Sequence, residues 1–114
     1  MDEATLEKRL AARIEQRDRA ARLLENHRRV RALALADLKV YHEAGIRWYG
    51  GTDKILRYDR YIADNENKHA HAVRMIERYT LELALLRART TALEQLARTQ
   101  DSASIREART KGSS

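Results

Sequence analysis

Residues 55–97 read ILRYDRYIADNENKHAHAVRMIERYTLELALLRARTTALEQLA, and within them Ile55, Tyr58, Ile62, Asn65, His69, Ala72, Ile76, Tyr79, Leu83, Leu86, Thr90, Leu93 and Ala97 recur at alternating steps of three and four. That alternation is the heptad signature of a helix whose apolar seam lies against another helix. Its polar layers, Asn65 and His69, gather near one end. A seam this long must be covered, so contact between helices is the first property the sequence dictates.

Upstream of the seam, Gly45, Gly50 and Gly51 form the one glycine cluster, followed by Thr52 and Asp53, an N-cap hydroxyl and an acid for the positive end of a new helix. The expected order is a helix over about residues 5–44, a turn over about 45–52 and a helix over about 53–99. Short connections make such helices antiparallel neighbours, with Trp48 and Tyr49 plugging the closed end. In the first helix Leu6, Leu10 and Ile14, continued by Ala21 and Leu24, mark an apolar stripe. It is thin between Glu15 and Arg22 and thickens after Val30 through Leu33, Leu35, Leu38, Val40 and Tyr41. The first third of the chain should therefore hold its partner weakly, or pack on something other than the second helix. After Thr99 the pattern loosens. Ser104 and Glu107, spaced as a capping box, predict a separate short helix in a 100–114 segment that is frayed over Thr110–Ser114.

Composition agrees with this all-α reading. The chain has 114 residues, no proline and 35% charged residues, the profile of long helices in one domain over residues 1–114. The absence of cysteine removes disulfides, thiolate metal sites and cysteine nucleophiles and fits a reducing compartment. No apolar run is long enough to span a bilayer, and the start, Met1-Asp2-Glu3, is acidic, unlike a leader peptide; a soluble intracellular protein is expected. The net charge of +6 comes mainly from arginine, which suits an acidic partner.

Four groups of residues bear on function. Leu81, Leu85, Ala88 and Ala92 form a second apolar stripe, set off from the seam by more than a quarter turn. One opposing helix cannot bury both stripes, so this side should meet a second copy or a different protein, with Trp48 as an additional anchor. Asp37, Asn65, Glu66 and His69 form a candidate polar layer that fixes helix register, with Asp37 or Glu66 accepting a hydrogen bond from His69.

Glu66-x-x-His69 also has the metal-ligand spacing of di-iron bundles. With Asp37 across the hairpin it resembles the two-helix encapsulated ferritins, a resemblance that implies a metal site shared between subunits. His69 and His71 lie on different faces and make no helical metal pair, and His27 and His42 read as solvated or hydrogen-bonded singly. The fourth group is cationic: Arg9, Arg13, Arg17, Arg28 and Arg31 are candidate phosphate contacts for a nucleic-acid partner. Glu7, Glu15, Asp18 and Glu25 are interleaved with them, as on a solvated helix surface.

No catalytic triad, phosphate loop or nucleophile motif is present, so neither enzymatic activity nor a cofactor is expected. The preferred reading is an antiparallel hairpin of two long helices, completed by oligomerisation or a protein partner, that acts as a scaffold or assembly subunit. The alternatives are a basic module on nucleic acid and a ferritin-like metal-binding dimer.

Overall fold

Two long helices form a hairpin: α1, Glu3–Glu43, and α2, Gly51–Gly112. The structure, a computed structural model, describes residues 1–112 and side chains as far as residue 109. The helices lie antiparallel in a rod measuring 107 × 19 × 14 Å. Ion pairs mark their register: Arg31 with Asp59 toward the closed end, Arg28 with Glu66 at 3.0 Å in the middle, and Arg87 with Glu3 at 2.7 Å at the open end.

Local chemistry sets each helix boundary. Asp2 is the N-cap of α1, its Oδ1 accepting the Thr5 backbone N–H at 2.7 Å, so the helix starts ahead of the expected residue 5. At the other end Ile46 N donates to Tyr41 O and Gly45 N to His42 O, a Schellman motif in which Gly45 takes the left-handed conformation at φ +70°. α2 begins at Gly51 and not at Thr52–Asp53. Lys54 N already donates to Gly50 O at 2.9 Å, which leaves Thr52 inside the first turn and not at the cap. A side chain at Gly51 would meet Trp48 Cε3 at 2.7 Å and Leu38 Cδ1 at 3.1 Å, so glycine is what lets Trp48 lie across the helix start. Trp48 is half-buried there and stacks on Tyr41, whereas Tyr49 is 81% exposed and plugs nothing.

The seam of α2 is covered from Ile55 to Leu86. Ile55, Asn65, Ala72, Tyr79 and Leu83 are buried, and the intervening seam residues are half-buried. On α1 the buried residues are Leu6, Ala20, Leu24 and Ala34. The covered line on α1 runs Leu6, Leu10, Arg13, Arg17, Ala20, Leu24, His27, Arg31, Ala34, Leu38. It is a heptad row with two alanines among its four buried members and three arginines among its half-buried ones. Across from this row, Ala72 of α2 is fully buried.

Three expectations change. The first third of the chain is not weakly held: Leu6, Tyr79 and Leu83, with Leu10, Met75 and Leu86 against them, form a hydrophobic cluster at the open end. Leu33, Leu35, Val40 and Tyr41, which thicken the stripe in the sequence, are exposed because they fall outside the heptad row. Finally, α2 does not break near residue 100. Ser104 and Glu107 sit inside a continuous helix, and residues 113–114 of the expected frayed end lie outside the described residues.

Candidate protein-interaction surface

Because α1 begins at Glu3, level with Arg87, α2 continues past that point without α1 beside it for roughly 37 Å of helix at about 1.5 Å per residue. The seam continues into this stretch, but Thr90, Leu93 and Ala97 are exposed there. Leu96 and Ile105 add two more large apolar side chains in water. The heptad spacing announces Leu93 and Ala97 but not their exposure. That follows only from the mismatch in helix length, which the capping-box spacing at Ser104 conceals.

The second stripe lies on the back of α2. At about 100° per residue, Leu81, Leu85, Ala88 and Ala92 fall nearly opposite the seam, on the side α1 cannot reach. Leu81 and Leu85 are 60% and 62% exposed, and Ala88 and Ala92 are exposed with them. Leu96 prolongs the row by one step. The structure thus brings the four stripe residues into one line and leaves that line open, while Trp48 stays at the far end of the rod against Tyr41 and Gly51.

The polar layer is dispersed. Asn65 is buried and donates from Nδ2 to the Tyr61 carbonyl at 2.8 Å, a bond within its own helix and not across the hairpin. Glu66 is exposed and held by Arg28, so it is not the acceptor for His69. Asp37 neighbours Leu38, which packs near Gly51 at the closed end, and stands about 14 Å along the axis from Glu66, given the Arg28–Glu66 register. A fold point at Gly50 would set Asp37 opposite Glu66. The α1–α2 connection is a seven-residue loop, so the true fold point is earlier and the α1 acid beside Glu66 and His69 is Glu25. Those three and Arg28 line one shallow groove. Among the described residues no set of three or more acids and histidines is placed to hold a metal ion.

His27 is neither solvated nor hydrogen-bonded at Nδ1. Its ring lies 5.6 Å from Tyr58 and 5.2 Å from Tyr61, and the nitrogen is buried without a partner. The heptad row of α1 passes through His27, and recognising that row is the signal that would have buried it.

The candidate phosphate contacts are mostly engaged. Arg13 donates to Gln16 at 3.1 Å, Arg17 to Asp18 at 3.1 Å, Arg28 to Glu66 at 3.0 Å and Arg31 to Asp59. Arg9 is exposed. Arg87 is held by two carboxylates: Glu3 at 2.7 Å and Glu7 at 3.0 Å clamp it, and the Glu3 hydrogen bond, first among the causes, holds its guanidinium above the ordinary arginine range.

No protein-family model, curated protein or solved structure matches the chain. No described helix is long and apolar enough to cross a membrane. The uncovered row on α2 is an apolar surface that α1 leaves open.

Proposed function

We propose that the chain is a non-enzymatic helical scaffold or assembly subunit that binds protein through the uncovered face of α2. The observation that carries this reading is the exposure of Leu81 and Leu85 on a side that α1 does not reach, continued by Leu96 beyond the start of α1. Keeping an exposed leucine in water forfeits roughly 1.5 to 3 kcal/mol relative to burial. A row of them on one rigid element is the footprint of a partner.

The nucleic-acid reading has less support, because Arg17, Arg28 and Arg31 are paired with carboxylates in this fold. The metal reading has less still, since Glu66 is held by Arg28 and Asp37 lies elsewhere.

The test is the double substitution Leu81→Glu with Leu85→Glu in the full chain. Association, followed by sedimentation of the native particle together with whatever co-purifies, should be lost while helicity by circular dichroism is retained. A wild-type chain that associates with no protein under any condition would end the proposal, and so would a double variant that associates as well as the wild type.

A further inference from the structure

We propose that the occupant of the Leu81–Leu85–Ala88–Ala92–Leu96 row is an acidic amphipathic helix of another protein, and not a second copy of this chain. This rests on the assembly reading above and names its partner by chemistry. The row advances in steps of four, three, four and four along a straight helix, roughly 22 Å in length at about 1.5 Å per residue. A narrow apolar line of that length is the complement of another helix's apolar stripe.

Charge decides which helix. Arginine is the larger charge around the row, with Arg74 and Arg78 before it and Arg89 beside it, against Glu77 before it and Glu82 at its flank. Arg78 is paired with Glu82, whereas among the described residues neither Arg74 nor Arg89 is paired with a carboxylate. An antiparallel second copy centred on Ala88 would bring each Arg89 toward its counterpart across the two-fold axis. A parallel copy would set every arginine beside its own equivalent. Both symmetric arrangements oppose like charges, which disfavours association.

The hairpin also displays the favoured alternative at its open end. There a helix with leucines on its seam, Leu6 and Leu10, and acids at its flank, Glu3 and Glu7, lies on Leu83 and Leu86 while both carboxylates hold Arg87. The uncovered row offers leucine and alanine with arginine at the flank, and a leucine-and-glutamate helix fits it by the same chemistry.

The probe is a labelled synthetic helical peptide with leucine at heptad positions and glutamate at the flanks, compared with the same peptide carrying lysine for glutamate. Fluorescence anisotropy with the full chain should show that the glutamate peptide binds, that rising salt weakens it, and that the lysine peptide fails. Leu81→Ala with Leu85→Ala should lower affinity at least about tenfold, as expected for two lost leucine contacts. Arg74→Gln with Arg89→Gln should lower it several-fold, flatten the salt dependence and leave the circular dichroism spectrum unchanged.

Equal binding of both peptides, or none of the glutamate peptide, overturns the acidic-helix assignment. Sedimentation run in parallel separates this from the broader reading. A dimer of the wild type that Leu81→Glu with Leu85→Glu dissolves overturns the acidic partner but leaves assembly through α2 standing. An inert monomer with neither peptide binding nor any co-purifying protein removes both.

Discussion

The open and closed ends of the hairpin invert what their residues suggest. At the closed end α1 carries Leu33, Leu35, Val40 and Tyr41, yet all four are exposed. At the open end α1 offers little more than Leu6 and Leu10, yet these join Tyr79 and Leu83 in the hydrophobic cluster. What separates the ends is angular phase. Where the two helices lie side by side, a residue on the heptad row of α1 is buried or half-buried however sparse its neighbourhood, while Leu33, Leu35, Val40 and Tyr41, off that row, stay exposed. The connection at the closed end is instead secured by backbone chemistry, with the Schellman motif at Gly45 and the seat of Trp48 on Gly51.

The sharpest way to break this comparison is to truncate one leucine at each end. Leu83→Ala should cost about 2 to 4 kcal/mol in urea unfolding, as large-to-small changes at buried sites do. Leu33→Ala, off the row, should stay within about 0.5 kcal/mol. Equal losses would mean that phase does not govern burial in this rod.

The next effect separates the two glycines at the closed end. Gly51→Ala places a methyl group 2.7 Å from the Trp48 ring and should cost about 1 to 3 kcal/mol by overpacking. Trp48 is the one tryptophan, so its fluorescence should shift toward that of a solvated indole. Gly45→Ala meets no atom within 4 Å and carries only the left-handed backbone penalty at φ +70°, about 1 kcal/mol, with Trp48 emission unchanged.

How much of this was legible before the fold was known depended on how cleanly each row is written. The α2 seam could be read residue by residue from Ile55 to Leu86 because large apolar side chains occupy most of it. The α1 row could not, because Arg13, Arg17, His27 and Arg31 occupy positions that a hydrophobic pattern skips, and Ala20 and Ala34 are too small to stand out. The stripe read through Ile14 and Ala21 slipped one residue off Ala20 as a result. The second stripe at Leu81 and Leu85 was legible because its residues are large and its angle from the seam is fixed by helix geometry. Asp37 was misplaced because its partner depends on loop length and register, which belong to the three-dimensional structure alone. The overhang was hidden because Ser104 and Glu107 have the spacing of a cap but lack a break in the helix before them.

His27 allows a smaller test on the hidden row. Its Nδ1 is buried without a partner, a state that costs about 1 to 3 kcal/mol for a polar group, while its ring contacts Tyr58 and Tyr61. His27→Leu keeps an apolar group on the row and removes the unsatisfied nitrogen, so the midpoint of thermal unfolding should rise, by an amount equivalent to about 1 kcal/mol after the ring contacts are lost. A fall would show that stacking on the two tyrosines outweighs the orphaned nitrogen, and that the middle of the row is held by aromatic contact.

The smallest effect lies at the start of α1 and depends on pH. The Asp2 carboxyl is held below its ordinary value of 3.8, first by its hydrogen bond with Thr5. A lowered folded-state value means that the cap contributes in full above the unfolded value and fades as pH falls through the folded one. Acidification should therefore lower the protection factor of the Thr5 amide, taken against its intrinsic rate at each pH, while Tyr79 and Leu83, at the same end but on the buried row, keep theirs. Asp2→Asn preserves an N-cap acceptor that does not titrate, so the pH dependence should vanish with protection largely intact. Asp2→Ala should show the unprotected exchange at every pH. Loss of protection at Leu83 together with Thr5 would mean that the cap and the open-end cluster unfold as one unit, and that the end with fewer apolar residues depends on its first turn.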